Sequence, residues 1–266
     1  MLENVHGFTA LKGERWRIEA NWPPTGTAWT VFVFHAIFIS YLIVASFIDL
    51  DHREIPLSIT LPGTVIGMIG AVLLAWPWPN PIAVAAVLPT TPWWHLPPGS
   101  IVEGLYPWPF WGPLPAWFAP GGNWQMGLAT GLAGVLAGTL MLRAIRFLFG
   151  LGLGIEALGL GDADLMMMAG SFLGWQPVVV GFFIGVFAGL LFGILQWVVR
   201  GENMLPFGPG LAIGVVVSFL CWRWIGPNLQ QAFFNPYIIL AVGGLGCFLL
   251  LAASYCLRVL RLLRQK

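Results

Sequence analysis

Two aspartates open the stretch ALGLGDADLMMMAGSFLGWQ, residues 157–176, which is otherwise apolar. Asp162 and Asp164 precede the short apolar run at residues 165–175, whereas a membrane-spanning helix needs about 20 apolar residues. The run can therefore cross a membrane only together with its flanks, or as a tilted or half helix. Whether it crosses decides the orientation of every segment that follows it.

The composition of the whole chain is that of a membrane protein. Of the 266 residues, 58% are hydrophobic and 9% are charged, whereas a soluble domain has about 25% charged residues. The formal net charge is only +1, so no overall field attracts nucleic acid and we expect none as a partner.

Six further apolar runs are long enough, or nearly so, to cross a bilayer. They lie at residues 29–48, 57–76, 126–149, 177–199, 208–225 and 237–257. With the doubtful run at 165–175, these segments predict an all-α fold, a polytopic transmembrane helix bundle of about six to seven helices in a lipid bilayer.

The distribution of lysine and arginine predicts the orientation of this bundle, because cytoplasmic loops of membrane proteins are enriched in them. Residues 77–124 contain no lysine or arginine and are rich in tryptophan and proline, so we expect an extracytoplasmic loop at the membrane surface. If residues 165–176 are part of a membrane-spanning segment, eight basic residues are all cytoplasmic. They are Arg53, Arg143, Arg146, Arg200, Arg258, Arg261, Arg264 and Lys266.

This orientation divides the chain into three parts. Residues 1–28 form an extracytoplasmic N-terminal segment, although they contain Lys12, Arg15 and Arg17. Residues 29–257 form the membrane domain, including the loop at 77–124, and residues 258–266 form a basic cytoplasmic tail.

Two acidic segments, which we call the acidic corners, fall on the cytoplasmic side of the predicted bundle: residues 46–56 and residues 159–165. Asp49 follows the first apolar run directly, within SFIDLDHREIP at residues 46–56. Asp162 follows Gly159 and Gly161, which permit a tight turn and a close backbone approach. Two carboxyl groups that share a site cannot both ionise easily, so one holds a proton while the other acts as a base. The pair therefore predicts aspartyl protease chemistry.

Each acidic group also has a simpler interpretation. Asp162 could only cap a helix that begins at Ala163, and Asp51 and Glu54 could pair with Arg53 in a solvated loop. A divalent metal site is a weak alternative, because no further histidine or carboxylate lies nearby in the sequence. Its ligands would be Asp49, Asp51 and His52. We expect no metal and no cofactor.

Glycine recurs every four residues in the middle of the chain, at 181, 185, 189 and 193, and similar pairs lie at 127 and 131 and at 134 and 138. Small residues at this spacing form a flat stripe where helix backbones approach closely. The stripe is typical of helix packing, and a docking groove for a substrate helix is the alternative.

Four motifs in order resemble the peptidase domain of type IV prepilin peptidases, which are GxGD aspartyl proteases. They are IDLDHREIP at 48–56, GLGD at 159–162, GSFLGWQ at 170–176 and LPFGPGLAIG at 205–214. A lone GxGD is a weak signal, but the ordered set is specific, and the resemblance covers roughly residues 30–225.

The resemblance implies that Asp49 and Asp162 are the two catalytic aspartates. It implies an enzyme of the plasma (inner) membrane that removes a short basic leader from a pilin-like precursor, cutting after a glycine while the precursor's hydrophobic helix stays in the bilayer. We expect the substrate to contact residues around the pair, and the acids among them to attract its basic leader: Asp51, Glu54, Asp164, Gly159 and Gly161.

The chain departs from the family pattern in several places. The cytoplasmic insert with paired C-x-x-C motifs, expected before the first span, is absent, so we do not expect methyltransferase activity. Asp164 stands where the family usually has lysine; if a helix begins at Ala163, Asp164 lies in its first turn. The loop at 77–124 and the last span are additional.

A second class of function stays open beside the peptidase. The chain could be a non-catalytic membrane scaffold, or an ion-coupled transporter that uses its buried carboxylates. A transporter typically has two similar halves, and the two acidic corners of this chain do not resemble each other.

Overall fold

The computed structural model describes residues 26–73, 123–153, 159–200, 207–234 and 236–264. Within these ranges the regular structure is entirely α-helical, which confirms the predicted fold class. The helices are α1 (Gly26–His52), α2 (Leu57–Leu73), α3 (Asn123–Leu153), α4 (Leu160–Leu173), α5 (Trp175–Arg200), α6 (Gly208–Phe234) and α7 (Pro236–Arg264).

Four of these helices contain a segment that is long and apolar enough to cross a membrane, so the chain is a membrane protein. The segments are Phe32–His52 in α1, Gly127–Leu153 in α3, Trp175–Leu195 in α5 and Tyr237–Val259 in α7. The predicted spans at 57–76 and 208–225 correspond to shorter apolar helices, Leu57–Leu73 and Gly208–Trp222. The doubtful run at 165–175 belongs mainly to α4, which has 14 residues.

Much of the polar and loop sequence lies outside the described residues. This holds for nearly all of the N-terminal segment 1–28 and of the loop 77–124, and for the last residues of the tail. The described part of the loop is its end, residues 123–124, which begin α3. The extracytoplasmic position of the loop stays a prediction.

Two left-handed residues turn the chain sharply at the ends of helices. At Arg53 the backbone φ is 60°, and its N–H donates to the carbonyl oxygen of Asp49 at 2.9 Å, which closes the last turn of α1. At Gly174 φ is 80°, and its N–H donates to the carbonyl oxygen of Gly170 at 2.8 Å. Only glycine adopts the Gly174 conformation readily, so α5 can begin one residue after this turn.

The glycine ladders lie at the helix interfaces. A Cβ at Gly185 would lie 2.9 Å from the Cα of Leu211 in α6, and one at Gly134 would meet the backbone carbonyl of Gly170 in α4. The same holds for Gly181 and Gly138, which face α6 and α4 respectively. The helix-packing interpretation of the ladders is therefore confirmed, and the docking groove is wrong for these glycines because neighbouring helices fill it.

Aromatic rings from three helices form the centre of the bundle. Phe38 of α1 stacks on Phe172 of α4 with ring centroids 4.6 Å apart, and it meets Phe219 of α6 edge-on at 6.3 Å. His35 is 2% exposed and stacks on Phe219 at 4.8 Å. This core holds α1, α4 and α6 together, and these are the helices whose ends carry the acidic corners and the LPFGPGLAIG motif.

The last helix, α7, is peripheral. It packs mainly against α3, where Ser254 is fully buried and contacts Gly152. Most of its other large apolar side chains are exposed, as expected for a helix that faces lipid on most sides.

Candidate active site

Asp49 lies in the last turn of α1 with its carboxyl group turned into the bundle. It is 6% exposed. Its Oδ2 accepts a hydrogen bond of 2.9 Å from the backbone N–H of Gly208, the first residue of α6. The first amides of a helix have no partner within the helix, so this contact satisfies both groups. Asp49 is therefore a buried acid at the end of the first span.

Asp162 lies in the first turn of α4 and is 8% exposed. The helix begins at Leu160 and its N-cap residue is Gly159, with extended backbone and no side-chain cap. The interpretation of Asp162 as the cap of a helix beginning at Ala163 is therefore wrong, because the helix starts three residues earlier. The carboxyl group instead accepts a backbone hydrogen bond from Gly159, as an acid in the first turn commonly does.

Ile55 brings the two acids together from the turn between α1 and α2. A Cβ at Gly161 would lie 2.7 Å from the carbonyl oxygen of Ile55, and one at Gly208 would lie 3.0 Å from its Cδ1. The buried Ile55 therefore packs against the start of α4 and the start of α6 at once. Gly161 permits this contact because it has no side chain.

The two carboxyl groups influence each other electrostatically. Burial, together with the charge of Asp49, raises the pKa of Asp162 to about 7, and the hydrogen bond from Gly159 opposes this rise. A carboxyl group with this pKa exchanges a proton near neutral pH, where a general acid is most effective. The arrangement provides one proton donor and one neighbouring acceptor.

The other acids of the first corner remain in solvent. Asp51, His52, Arg53 and Glu54 are exposed. Asp51 lies in the last turn of α1, so the loop interpretation is wrong for this residue, whereas Glu54 lies in the turn between α1 and α2. Within the part of the chain that the structure describes, no group of three metal-ligating side chains occurs.

Asp164 lies on the side of α4 that faces α3. Its Oδ1 is 3.6 Å from Nη2 of Arg143, and the side chains are 14% and 54% exposed respectively. Burial raises the pKa of Asp164, while the charge and hydrogen bond of Arg143 lower it. Because α4 begins at Leu160, Asp164 lies beyond the first turn; its predicted first-turn position is wrong.

Sequence reasoning did not assign two residues of this site, Ile55 and Gly208. A signal for Gly208 was present, since FGPG within the LPFGPGLAIG motif combines glycines with a proline just where an apolar run begins. Ile55 carried no comparable signal, because an isolated isoleucine in a short loop is unremarkable in an apolar chain.

The chain matches the type IV leader peptidase family over residues 36–93 and 108–194, which is more than half of its length. It belongs to this family. The match contains both Asp49 and Asp162, and the family resemblance stated from the sequence is confirmed.

Several curated proteins are similar to parts of the chain. A prepilin leader peptidase/N-methyltransferase of Burkholderia pseudomallei is 40% identical over 90 residues, 33% of this chain and 29% of the relative. One of Aeromonas salmonicida is 33% identical over 96 residues, 35% of this chain and 33% of the relative.

A longer match covers most of the chain. A type 4 prepilin-like proteins leader peptide-processing enzyme of Escherichia coli is 26% identical over 197 residues, 74% of this chain and 53% of the relative. The chain thus spans about half the length, or less, of these relatives. No solved structure matches it.

Proposed function

We propose that the protein is a membrane aspartic endopeptidase that removes the basic leader from type IV prepilin-like precursors, with Asp49 and Asp162 as its catalytic residues. The observation that carries this proposal is the pair of buried carboxyl groups that Ile55 brings together at one end of the bundle. Membership of a leader peptidase family and similarity to proteins named as prepilin leader peptidases support it.

The proposed reaction needs one ionised and one protonated carboxyl group. The carboxylate takes a proton from water, and the water oxygen forms a bond to the carbonyl carbon of the scissile peptide. The C–N bond then breaks, and the protonated carboxyl group gives its proton to the leaving amine. Transfer of the acquired proton from the former base to the former acid restores the starting state of the pair.

The surroundings of the pair suit a basic substrate. Asp51 and Glu54 are exposed beside Asp49, and we propose that they attract the leader at a strength that salt screens. Asp164 contributes little to this attraction, because Arg143 pairs with it and offsets its negative charge. Gly159, directly before α4, would allow the substrate backbone to approach Asp162 closely, whereas the space at Gly161 is filled by Ile55.

The orientation in the membrane is part of the proposal. The ends of α1, α3 and α5 and the starts of α2, α4 and α6 share one end of the bundle with the acid pair, as the Gly208–Asp49 and Ile55–Gly161 contacts indicate. Arg53, Arg143 and Arg146 lie toward this end. The positive-inside bias therefore favours a site at the cytoplasmic face of the plasma membrane.

A cleavage assay tests this function. We expect that co-expression with a prepilin-like substrate yields processed product, and that Asp49→Asn and Asp162→Asn each abolish it, because members of one catalytic unit cannot compensate for each other. Asp51→Asn removes an exposed acid two residues from Asp49 and is the matched control. It should lose far less activity than either variant, because Asp51 would only help to attract the leader.

Two results would contradict the proposal. Full processing by Asp49→Asn would show that the wrong aspartate was chosen, particularly if Asp51→Asn were inactive. Absence of processing by the unaltered protein, with several prepilin-like substrates, would favour a non-catalytic scaffold or a transporter.

A further inference from the structure

The amino end of α6 meets the carboxyl group of Asp49. The N–H of Gly208 donates to Oδ2 at 2.9 Å, across 159 residues of sequence. The N-terminus of a helix carries a partial positive charge and free amide donors, which favour an anion. Since Asp49 is 6% exposed, this amide replaces part of the water that an ionised carboxylate would otherwise require.

Only glycine fits at this point of contact. A Cβ at position 208 would lie 2.6 Å from Oδ2 of Asp49, 3.0 Å from its Cγ and 3.0 Å from Cδ1 of Ile55. The next residue, Pro209, has no N–H to donate. The donor to Asp49 therefore depends on Gly208 and on the absence of a side chain there.

Asp162 resembles Asp49 in being buried beside the amino end of a helix, but it is also affected by the charge of its neighbour. Asp162 also accepts a backbone hydrogen bond, from Gly159, yet burial and the charge of Asp49 outweigh that bond. Within the described residues, Asp164 of α4 and Arg143 of α3 pair with each other.

Among the described residues, the other charged groups close to Asp49 in the sequence are Asp51 and His52 in the last turn of α1, and Arg53 and Glu54 directly after it. Asp51, His52, Arg53 and Glu54 are exposed to solvent, so water screens their influence on both buried carboxyl groups. The part of α6 near Gly208, residues 208–222, contains no charged side chain.

We propose that Gly208 is a positioning residue that holds Asp49 as the ionised base, which leaves Asp162 as the carboxylic acid that carries the proton. This assignment rests on the proposed peptidase function. It predicts that the rise and the fall of the pH–rate profile report different residues. The acidic limb, where activity rises with pH, follows the ionisation of Asp49, and the alkaline limb, where activity falls, follows the loss of the proton from Asp162.

The variant Gly208→Ala tests the assignment. Loss of a hydrogen bond to a charged group corresponds to a shift of about one to two pH units, so we expect the acidic limb of kcat/KM to move to higher pH by that amount. The alkaline limb should stay in place. The control is Gly189→Ala, where the new Cβ would lie 3.3 Å from the ring of Phe207 at the same helix interface.

A merely structural role for Gly208 would lower the rate at all pH values without moving either limb. An active Gly208→Ala variant whose limbs coincide with those of the unaltered protein would therefore overturn the proposal. So would a shift confined to the alkaline limb. A shift of the same size in Gly189→Ala would also overturn it, because that residue does not touch Asp49.

Infrared titration decides the proton assignment even if Gly208→Ala fails to fold. A protonated carboxyl group has a carbonyl band distinct from that of a carboxylate. We expect a band that titrates near neutral pH to be absent from Asp162→Asn and to persist in Asp49→Asn, where burial still acts on Asp162. Loss of the band in Asp49→Asn and its survival in Asp162→Asn would reverse the assignment.

These measurements separate the two proposals. The infrared titration needs no substrate, so its outcome does not depend on peptidase activity. Absence of cleavage by the unaltered protein would overturn the proposed function alone. Cleavage by Gly208→Ala with a shift of the alkaline limb, and not of the acidic limb, would overturn only the role of Gly208.

Discussion

Replacing Asp162 by asparagine should make the stability of the protein less dependent on pH. The two side chains have nearly the same shape, so the substitution removes the titrating group while keeping the packing of α4. The pKa of Asp162 in the folded protein is about 7, against an ordinary value of 3.8, chiefly because the group is buried. The folded state therefore binds a proton more tightly than the unfolded state does.

The sign of the effect follows from this difference. Below 3.8 the carboxyl group is protonated in both states, and its full contribution to stability is present. As the pH rises through about 7 the contribution is lost, because the folded protein must then hold a buried carboxylate. At about 1.4 kcal/mol per pKa unit, the whole loss is on the order of 4 kcal/mol.

Unfolding in detergent as a function of pH measures this effect. We expect the unaltered protein to lose stability between mildly acidic and neutral pH, and Asp162→Asn to lose less over the same range. Asp51→Asn, whose carboxyl group is exposed, should follow the unaltered protein. Parallel curves for the unaltered protein and Asp162→Asn would refute the burial argument, since the proton would then bind equally well in both states.

Two further predictions concern the packing around the site. Gly134→Ala should destabilise the bundle by about 1–3 kcal/mol, because its Cβ would enter the backbone of Gly170, whereas Gly243→Ala, where nothing lies within 4 Å, should change little; equal Tm values for the two variants in detergent would contradict this. A double-mutant cycle on Arg143→Gln and Asp164→Asn should give a coupling of at most about 1 kcal/mol, because Arg143 is more than half exposed. A coupling several times larger would indicate a buried, structural ion pair.

Hydropathy was sufficient to predict the helices but not where they end. The apolar run at 29–48 indicated the first helix, yet α1 continues through Asp49 and Asp51 to His52. Helical hydrogen bonds do not require apolar side chains, so polar residues extended the helix until the left-handed Arg53 ended it. The start of α4 was also predicted wrongly. Gly159, and not the first acid, is the N-cap residue, so the helix includes Asp162 in its first turn.

The acid pair was predictable from the sequence, but its partners were not. Asp49 and Asp162 follow directly from the cost of placing carboxyl groups at the ends of apolar segments. The donor to Asp49 is a backbone amide, and the need for glycine there comes from the close approach of Asp49 and Ile55, which the sequence alone does not show. The pairing of Asp164 with Arg143 depends on how α3 turns toward α4, and periodicity alone does not define that rotation.

The hydrogen bond between Gly208 and Asp49 has a consequence for how the protein is made. Asp49 is synthesised with the first helix, but its amide donor follows 159 residues later, which is roughly ten to thirty seconds at about 5–20 residues per second. During that interval the carboxyl group must stay hydrated at the mouth of the translocon or lie protonated in the lipid. The acid pair is thus completed only when the sixth helix inserts, so a nascent chain that stops before α6 carries both aspartates but not the assembled site.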